Sequence, residues 1–466
     1  MSVTGIDYNN RFFSFVSLFM SESSSFVFSV GELQNLAADI INYARQRGSD
    51  ACETELSEGS GQTVSVRCAE VDTIEYNRDK DIAVTVYIGQ QQGHASTSDF
   101  SPAAVQATVD AALSIARLTA PDPFAGLPPQ ERLARHWQDP QRFFPWAITV
   151  EEAVALARQC EEAAFAFDSN ITNSEGASVT TQSSQFLFAN SLGFSGGFAA
   201  SEHSIGCAVI AGHGDNMQRE YWHDAATDAQ TLAAATAIGT KAGQRALARL
   251  GARPIKTCDV PVLFDATIAG SLIGHFIGAV SGGALYRQSS FLPDSLGQQI
   301  FPQHVRIREC PLTKGQFGCT PFDDEGVATG DRDIVQDGIL QGYFLSSYTA
   351  RKLGMQTTAN AGGPHRIEVN HQQQDQQTLI RQMHRGFLVT ELLGQGVNHI
   401  TGDYSRGAAG FWIEHGEIQH AVEEVTIAGN LRDMYRHIAA IGNDALPHSS
   451  RQCGSILLEQ MTVAGQ

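Results

Sequence analysis

ACETELSEGSGQTVSVRCAEVDTIEYNRDKDIAVTVYIGQQQGHAST, residues 51–97, is where the chain changes from a helical to an extended period. Thr63–Arg67 and Ile82–Ile88 are rich in β-branched residues, and Gly, Asn and Asp separate such runs, so the stretch predicts an antiparallel meander. Just upstream, Leu33, Leu36, Ala37, Ile40, Ile41 and Ala44 recur at three- and four-residue spacing between Gly31 and Gly48. That spacing predicts an amphipathic helix stopped by Gly48. Downstream, Ser101 followed by Pro102 is a cap and first-turn pair, and a helical stripe continues to about Leu118. Prolines 121, 123, 128 and 129 impose a loop, after which Thr149 with Glu152 forms a capping box for a second helix through Cys160. Strands resume near Ile171 and over Thr180–Phe188.

Alanine-rich spacing between Asp224 and Leu250 predicts a long helix ended by Gly251 and Pro254. Beyond Asp259 the chain reads as β-rich, with Asp337-Gly338 as a hairpin turn between Ile334-Val335 and Ile339-Leu340. The expected fold class is therefore α+β: an N-terminal α/β domain with antiparallel strands over 31–250, and a β-rich, barrel-like domain over 251–466. Residues 1–30 are expected to form an extension outside both. Its apolar stretch Arg11–Met20 resembles a short signal core but lacks a small-residue cleavage site. It reads either as sequence ahead of a true start at Met20 or as a hydrophobic arm.

At 466 residues, with 42% hydrophobic and 17% charged residues, the chain can bury large cores, and its 44 glycines point to turns rather than disorder. A net charge of −19 without a basic run argues against a nucleic-acid partner, since phosphate affinity comes from clustered Lys and Arg. The eight cysteines show neither CxxC pairs nor the dense spacing of disulfide-stapled proteins, which fits a reducing cytoplasm. No stretch reaches the roughly 18 apolar residues a membrane helix needs.

The chemistry centres on GSLIGHFIGAVSGGALYR, residues 270–287, which alone reads as a buried glycine-rich helix whose single histidine packs in the core. Its neighbours change that reading. They are SGGALYRQSSFLPDSLGQQI (281–300), TPFDDEGVATGDRDIVQDGIL (320–340), SYTARKLG (347–354), VTELLGQGVNHITGDYSRGAAGFWIEHGEI (389–418) and VTIAGNLRDM (425–434). TVYIGQQQGHASTSDFSPAAV (85–105) and ITNSEGASV (171–179) extend the pattern into the N-terminal half. Together they resemble the TldD/PmbA family, and within it the PmbA (TldE) branch, over about residues 31–466.

The resemblance implies a protein that pairs with a partner of the same fold around a chamber where unfolded or flexible peptides are cut. It also implies roles in peptide-antibiotic maturation and antitoxin removal. In the TldD branch a zinc is held by an HExxxH helix and a distant cysteine, with the glutamate as general base. Laid on this chain, the first histidine falls on Gly270, the glutamate on Ser271, the second histidine on His275 and the cysteine on Cys453. Catalytic zinc normally takes three protein ligands and a water, so His275 with Cys453 is an incomplete set. Ser271 cannot accept the proton of an attacking water at neutral pH. The zinc is thus expected on a TldD-type partner bearing HExxxH.

Gly402, Asp403, Tyr404, Ser405, Arg406 and Gly407 form a candidate substrate-binding segment, where glycines would let a peptide add as a strand; the competing reading is tight turns between strands. His415-Gly416-Glu417 resembles the H-x-E of zinc deaminases but lacks their P-C-x-x-C, and reads as a hairpin turn followed by strand residue His420. The acidic residues Asp323, Asp324, Glu325, Asp331, Asp333 and Asp337 lack EF-hand spacing and read as solvated turns, with a structural cation as the alternative. Two other functions stay open: a thiol hydrolase with Cys453 as nucleophile and His275 as base, and an interaction protein without peptidase activity.

Overall fold

The computed structural model describes residues 26–465. The apolar stretch Arg11–Met20 lies outside them. Residues 26–30, expected as part of an extension, are tied to the first sheet. Val27 and Phe28 N–H donate to the Glu58 carboxylate at 2.9 and 3.0 Å, and the Phe28 ring stacks on Phe100.

Helix α1 (Val30–Gln46) opens on a capping box of Ser29 and Glu32. The meander follows as β1 (Ala51–Arg67), β2 (Glu70–Ile88) and β3 (Gln91–Thr97), then α2 (Pro102–Leu118) capped by Ser101. After α3 (Val150–Phe167), capped by Thr149 and Glu152, come β4 (Ile171–Asn190), β5 (Ser195–Gly196), β6 (Ala199–Ala211), β7 (Gln218–Ala226) and α4 (Ala235–Ala248). The strands form one antiparallel sheet in the order β3-β2-β1-β4-β6-β7, with β5 on β4. Two apolar cores line it. One joins α1 and α2 to β1, β2 and β4, and the other joins α3 and α4 to β4 and β6.

Two expectations change here. The short β runs fuse into strands of 17 and 19 residues, because the β1–β2 turn is made by Cys68 and Ala69, both left-handed at φ 50° and 65°. Neither residue favours that region. Their N–H groups donate at 2.9 and 2.8 Å to the buried Glu161 carboxylate of α3, which offsets the strain. The long helix expected over 224–250 starts only at Ala235. Residues up to Ala226 pair with β6, and the Asp224 carboxylate accepts from Ala225 and Ala233 N–H, closing a turn instead of a helix. Gly239 and Gly243 explain why α4 packs closely on α3: a Cβ at Gly239 would overlap the Cys160 carbonyl.

The C-terminal half starts with β8 (Cys258–Phe264), α5 (Ala266–Ala279) and α6 (Gly282–Tyr286), so the predicted 270–287 helix is broken at Val280-Ser281. Next are β9 (Ile307–Glu309), β10 (Arg332–Gln336), β11 (Ile339–Leu340), α7 (Ser347–Lys352), β12 (Ile367–Val369) and α8 (Gln376–Met383). The chain ends with β13 (Gly386–Leu393), β14 (Asp403–Glu414), β15 (Glu417–Asn430), α9 (Leu431–Arg436), β16 (Ile438–Ile441), β17 (Arg451–Gln452) and β18 (Ile456–Ala464).

Strands β15-β14-β13-β8-β18 close on themselves through β15–β18 pairing, giving the expected barrel-like sheet, and β16 adds to β18 outside the ring. Closure removes the sheet edges and encloses a core that α5 caps with Leu272, Ile273, Phe276 and Ile277. A smaller sheet, β11-β10-β9-β12-β17, lies beside it. Asp337-Gly338 and His415-Gly416 make the expected hairpin turns, each with both residues at positive φ. Among the described residues, no helix is long and apolar enough to cross a membrane.

Candidate functional site

A cleft of about 580 Å³ opens where β7 and α4 of the first sheet meet α5, β13, β14 and β17 of the C-terminal half. Of the sequence-predicted residues, Gly270, Ser271, Arg406 and Cys453 line it, and His275 does not. A spacing of five residues at 3.6 per turn sets positions 270 and 275 about 140° apart around a regular helix. With α5 unbroken from Ala266 to Ala279, Gly270 faces the cleft while the His275 ring turns to His399 and Tyr404, with centroids at 5.6 and 6.1 Å.

The metal-motif positions do not converge as a ligand set. The Ser271 hydroxyl donates to the Ile268 carbonyl at 2.6 Å, one turn back in its own helix. His275 Nε2 is buried without a hydrogen-bond partner. Burial, then His399, Arg406 and Arg451, pull this imidazole down to about 4, so it is neutral. Cys453 is 2% exposed, its thiol donates to the Gly454 carbonyl at 3.3 Å, and burial followed by Asp444 pushes it up to about 12. At neutral pH this thiol is protonated and therefore no nucleophile.

The parallel pairing of β17 with β12 lays Arg451 along α5, where its Nη1 comes within 3.0 Å of the place a Cβ would occupy at Gly274. One imidazole turned away, one protonated thiol and two guanidinium groups, Arg406 and Arg451, do not fit a zinc ion. Among the described residues no group of three or more His, Cys, Asp and Glu side chains is arranged to hold a metal.

The cleft wall also holds residues that the sequence reading missed. Glu220 of β7, 5% exposed, is bound by Arg245 at 3.1 Å and Arg249 at 3.3 Å, and Arg249 reaches Glu391 of β13 at 3.0 Å. This network ties the two halves together across 142 residues of sequence, a separation no local pattern reports. A bulge in β13 skips Thr390 between Val389 and Glu391 and leaves its hydroxyl in the cleft wall, buried and without a partner.

Segment 402–407 is built into the barrel. Residues 403–407 pair with β15 on one side, and on the other Ser405 N–H donates to Gly396 and Asn398 N–H to Asp403. Both edges of residues 403–407 carry hydrogen bonds within the barrel, and of the six only Gly402 lies at a turn. Gly402 is at φ 83°, and a Cβ there would sit 3.2 Å from Phe291. Tyr404 is 1% exposed, and only Arg406 of the six reaches the cleft.

The acidic run is also placed. Asp323 is 2% exposed rather than solvated: its carboxylate accepts from the N–H groups of Glu325, Val327 and Ala361 at 2.9–3.0 Å. Asp333 is clamped by Arg306.

The fold is that of known proteins. Three family profiles match in order: PmbA/TldA metallopeptidase domain 1 at 52–116, its central domain at 144–250, and its C-terminal domain at 257–465. The chain is 45% identical to Metalloprotease PmbA of Escherichia coli O157:H7 over 90% of this chain and 93% of that one. It is 41% identical to a Metalloprotease PmbA homolog of Haemophilus influenzae over 93% and 96%. A crystal structure from Bacteroides thetaiotaomicron, solved as a candidate modulator of DNA gyrase, superposes with a TM-score of 0.88 at 25% identity, covering 93% and 99%. TldE from Thermococcus kodakarensis superposes at 0.80 with 20% identity, covering 92% and 100%, a likeness of fold. With profiles ordered along most of its length and close relatives over nine-tenths of it, the chain belongs to the TldD/PmbA metallopeptidase family, on the PmbA branch.

Proposed function

We propose that this chain is the zinc-less subunit of a cytoplasmic TldD/TldE-type metallopeptidase that cuts unfolded or flexible peptides, with the hydrolytic zinc on a TldD-type partner carrying HExxxH. The observation that carries this reading is the cleft at α5. Where hydrolysis needs a histidine and a carboxylate there are Gly270 and Ser271, and Arg406 and Arg451 supply positive charge where a dication would sit. The relatives named as metalloproteases support peptidase work for the assembly. In this reading the chain closes the chamber and holds substrate while the partner does the chemistry.

The thiol-hydrolase reading has no support in the geometry, since the Cys453 thiol donates to the Gly454 carbonyl rather than to an imidazole. The test is a Gly270→His, Ser271→Glu double variant, assayed for zinc content and peptide cleavage. It should stay metal-poor and inactive, because Arg451 beside the helix and the His275 ring packed against His399 and Tyr404 persist. A zinc-loaded, active double variant would mean that two side chains alone separate this subunit from a working one.

A further inference from the structure

The cleft that excludes a cation is built for the opposite charge. Its carboxylates are spent: Glu220 is held by Arg245 and Arg249, and Glu391 by Arg249. Arg219 at the rim is paired with Glu175 at 2.6 Å. Arg406 from β14 and Arg451 from β17 line the same wall, and among the described residues neither has an ion-pair partner; Arg406 Nε is buried without an acceptor. Thr390 provides an independent sign of a missing ligand. It is 8% exposed, set by the β13 bulge into the cleft wall, and its hydroxyl has no hydrogen-bond partner. Buried polar groups are ordinarily satisfied, so two unmet buried donors, Arg406 Nε and Thr390 Oγ1, beside the exposed guanidinium of Arg451 call for a multidentate acceptor. The contrast with the chain's net charge of −19 makes this recess a local focus for anions on an acidic protein.

We propose that Arg406, Arg451 and Thr390 form a carboxylate-binding site that anchors a peptide in the cleft. This rests on the peptide-handling reading above, which supplies carboxylates from two sources: the C-terminus of a peptide, or an Asp or Glu side chain within it. The guanidinium groups bind the carboxylate oxygens, and the Thr390 hydroxyl donates to one of them.

Fluorescence anisotropy on the full-length chain with three labelled Gly/Ala peptides tests the site: one with a free C-terminus, one amidated, and one amidated with a single internal Asp. The free-acid or the Asp peptide should bind at least about tenfold tighter than the neutral amide, as loss of a charge-assisted hydrogen bond predicts, and whichever binds identifies the source. Arg406→Gln and Arg451→Gln should each remove the preference, whereas Arg451→Lys should retain part of it in an equally folded protein. Equal binding of all three peptides, no binding of any, or an unchanged preference in both Gln variants would overturn the site. Peptide cleavage by the chain mixed with its partner is scored in parallel. Cleavage without carboxylate preference sinks this inference alone, while absence of cleavage strikes at the proposed function.

Discussion

Two seams join the N-terminal sheet to the C-terminal half, and they are built from opposite materials. At the first, Phe322 enters an aromatic nest of Trp137, Phe186, Phe194 and Phe198, with ring centroids at 5.1–6.2 Å, and acidic residues crowd around it. Glu53 of β1 lies in the field of Glu325, and Glu55 in that of Asp324. At the second, arginines dominate, and Glu220 and Glu391 are the anions they consume. The first seam is closed by apolar packing and holds its charges by protonation. The second is closed by ion pairs and leaves a cleft with unspent positive charge. A site for a ligand arises where charge is left over, and a mechanical joint where it is not.

The comparison can be broken by substitution. Phe322→Ala should cost about 4 kcal/mol in urea unfolding, the range for deleting a buried aromatic ring. Glu220→Ala should cost about 3 kcal/mol, because Arg245 then loses its carboxylate and the buried Arg249 keeps only Glu391. If Glu220→Ala proved neutral, the second seam would not be held by ions.

A pH series sharpens the contrast further. Burial, with Glu325 adding, pushes Asp323 up to about 7, and burial likewise pushes Glu53 up to about 7 despite the Tyr87 hydroxyl donating to it. A carboxyl raised in the folded state binds more protons there than in the unfolded chain. Its contribution is full below the ordinary carboxylate range and is lost as pH rises through about 7. The melting temperature should therefore fall as pH rises from about 4.5 to 7 and level off above that, and Glu53→Gln, whose amide still accepts from Tyr87, should flatten that slope. The smallest effect is expected for Arg219→Ala, whose pair with Glu175 is about half exposed on both sides, with a change within about 1 kcal/mol.

What the sequence reveals follows the range of the interactions. Ser101 with Pro102 and Thr149 with Glu152 act within one turn, and the two helices they open begin where those residues predict. The Cys68-Ala69 turn was illegible because its support, Glu161, lies some 90 residues away. The start of α4 was misplaced for a similar reason: alanine spacing suits a helix, but strand pairing with β6 claims residues 218–226.

At the cleft, Gly270, Ser271 and Cys453 were found through family likeness. Arg451, Thr390 and the Glu220 network were missed, since an arginine or threonine shows no pattern until the backbone brings it to a recess. Segment 402–407 was half right: one residue of the six, Arg406, reaches the cleft, and the others serve the barrel.

The central claim is that this subunit carries no hydrolytic metal of its own. Zinc content by mass spectrometry, with peptide cleavage by the purified chain alone and then mixed with an HExxxH-bearing partner, tests it most directly. The account predicts far less than one zinc per chain and cleavage only by the mixture. One tightly held zinc per isolated chain, with cleavage that stops on His275→Ala, would contradict it.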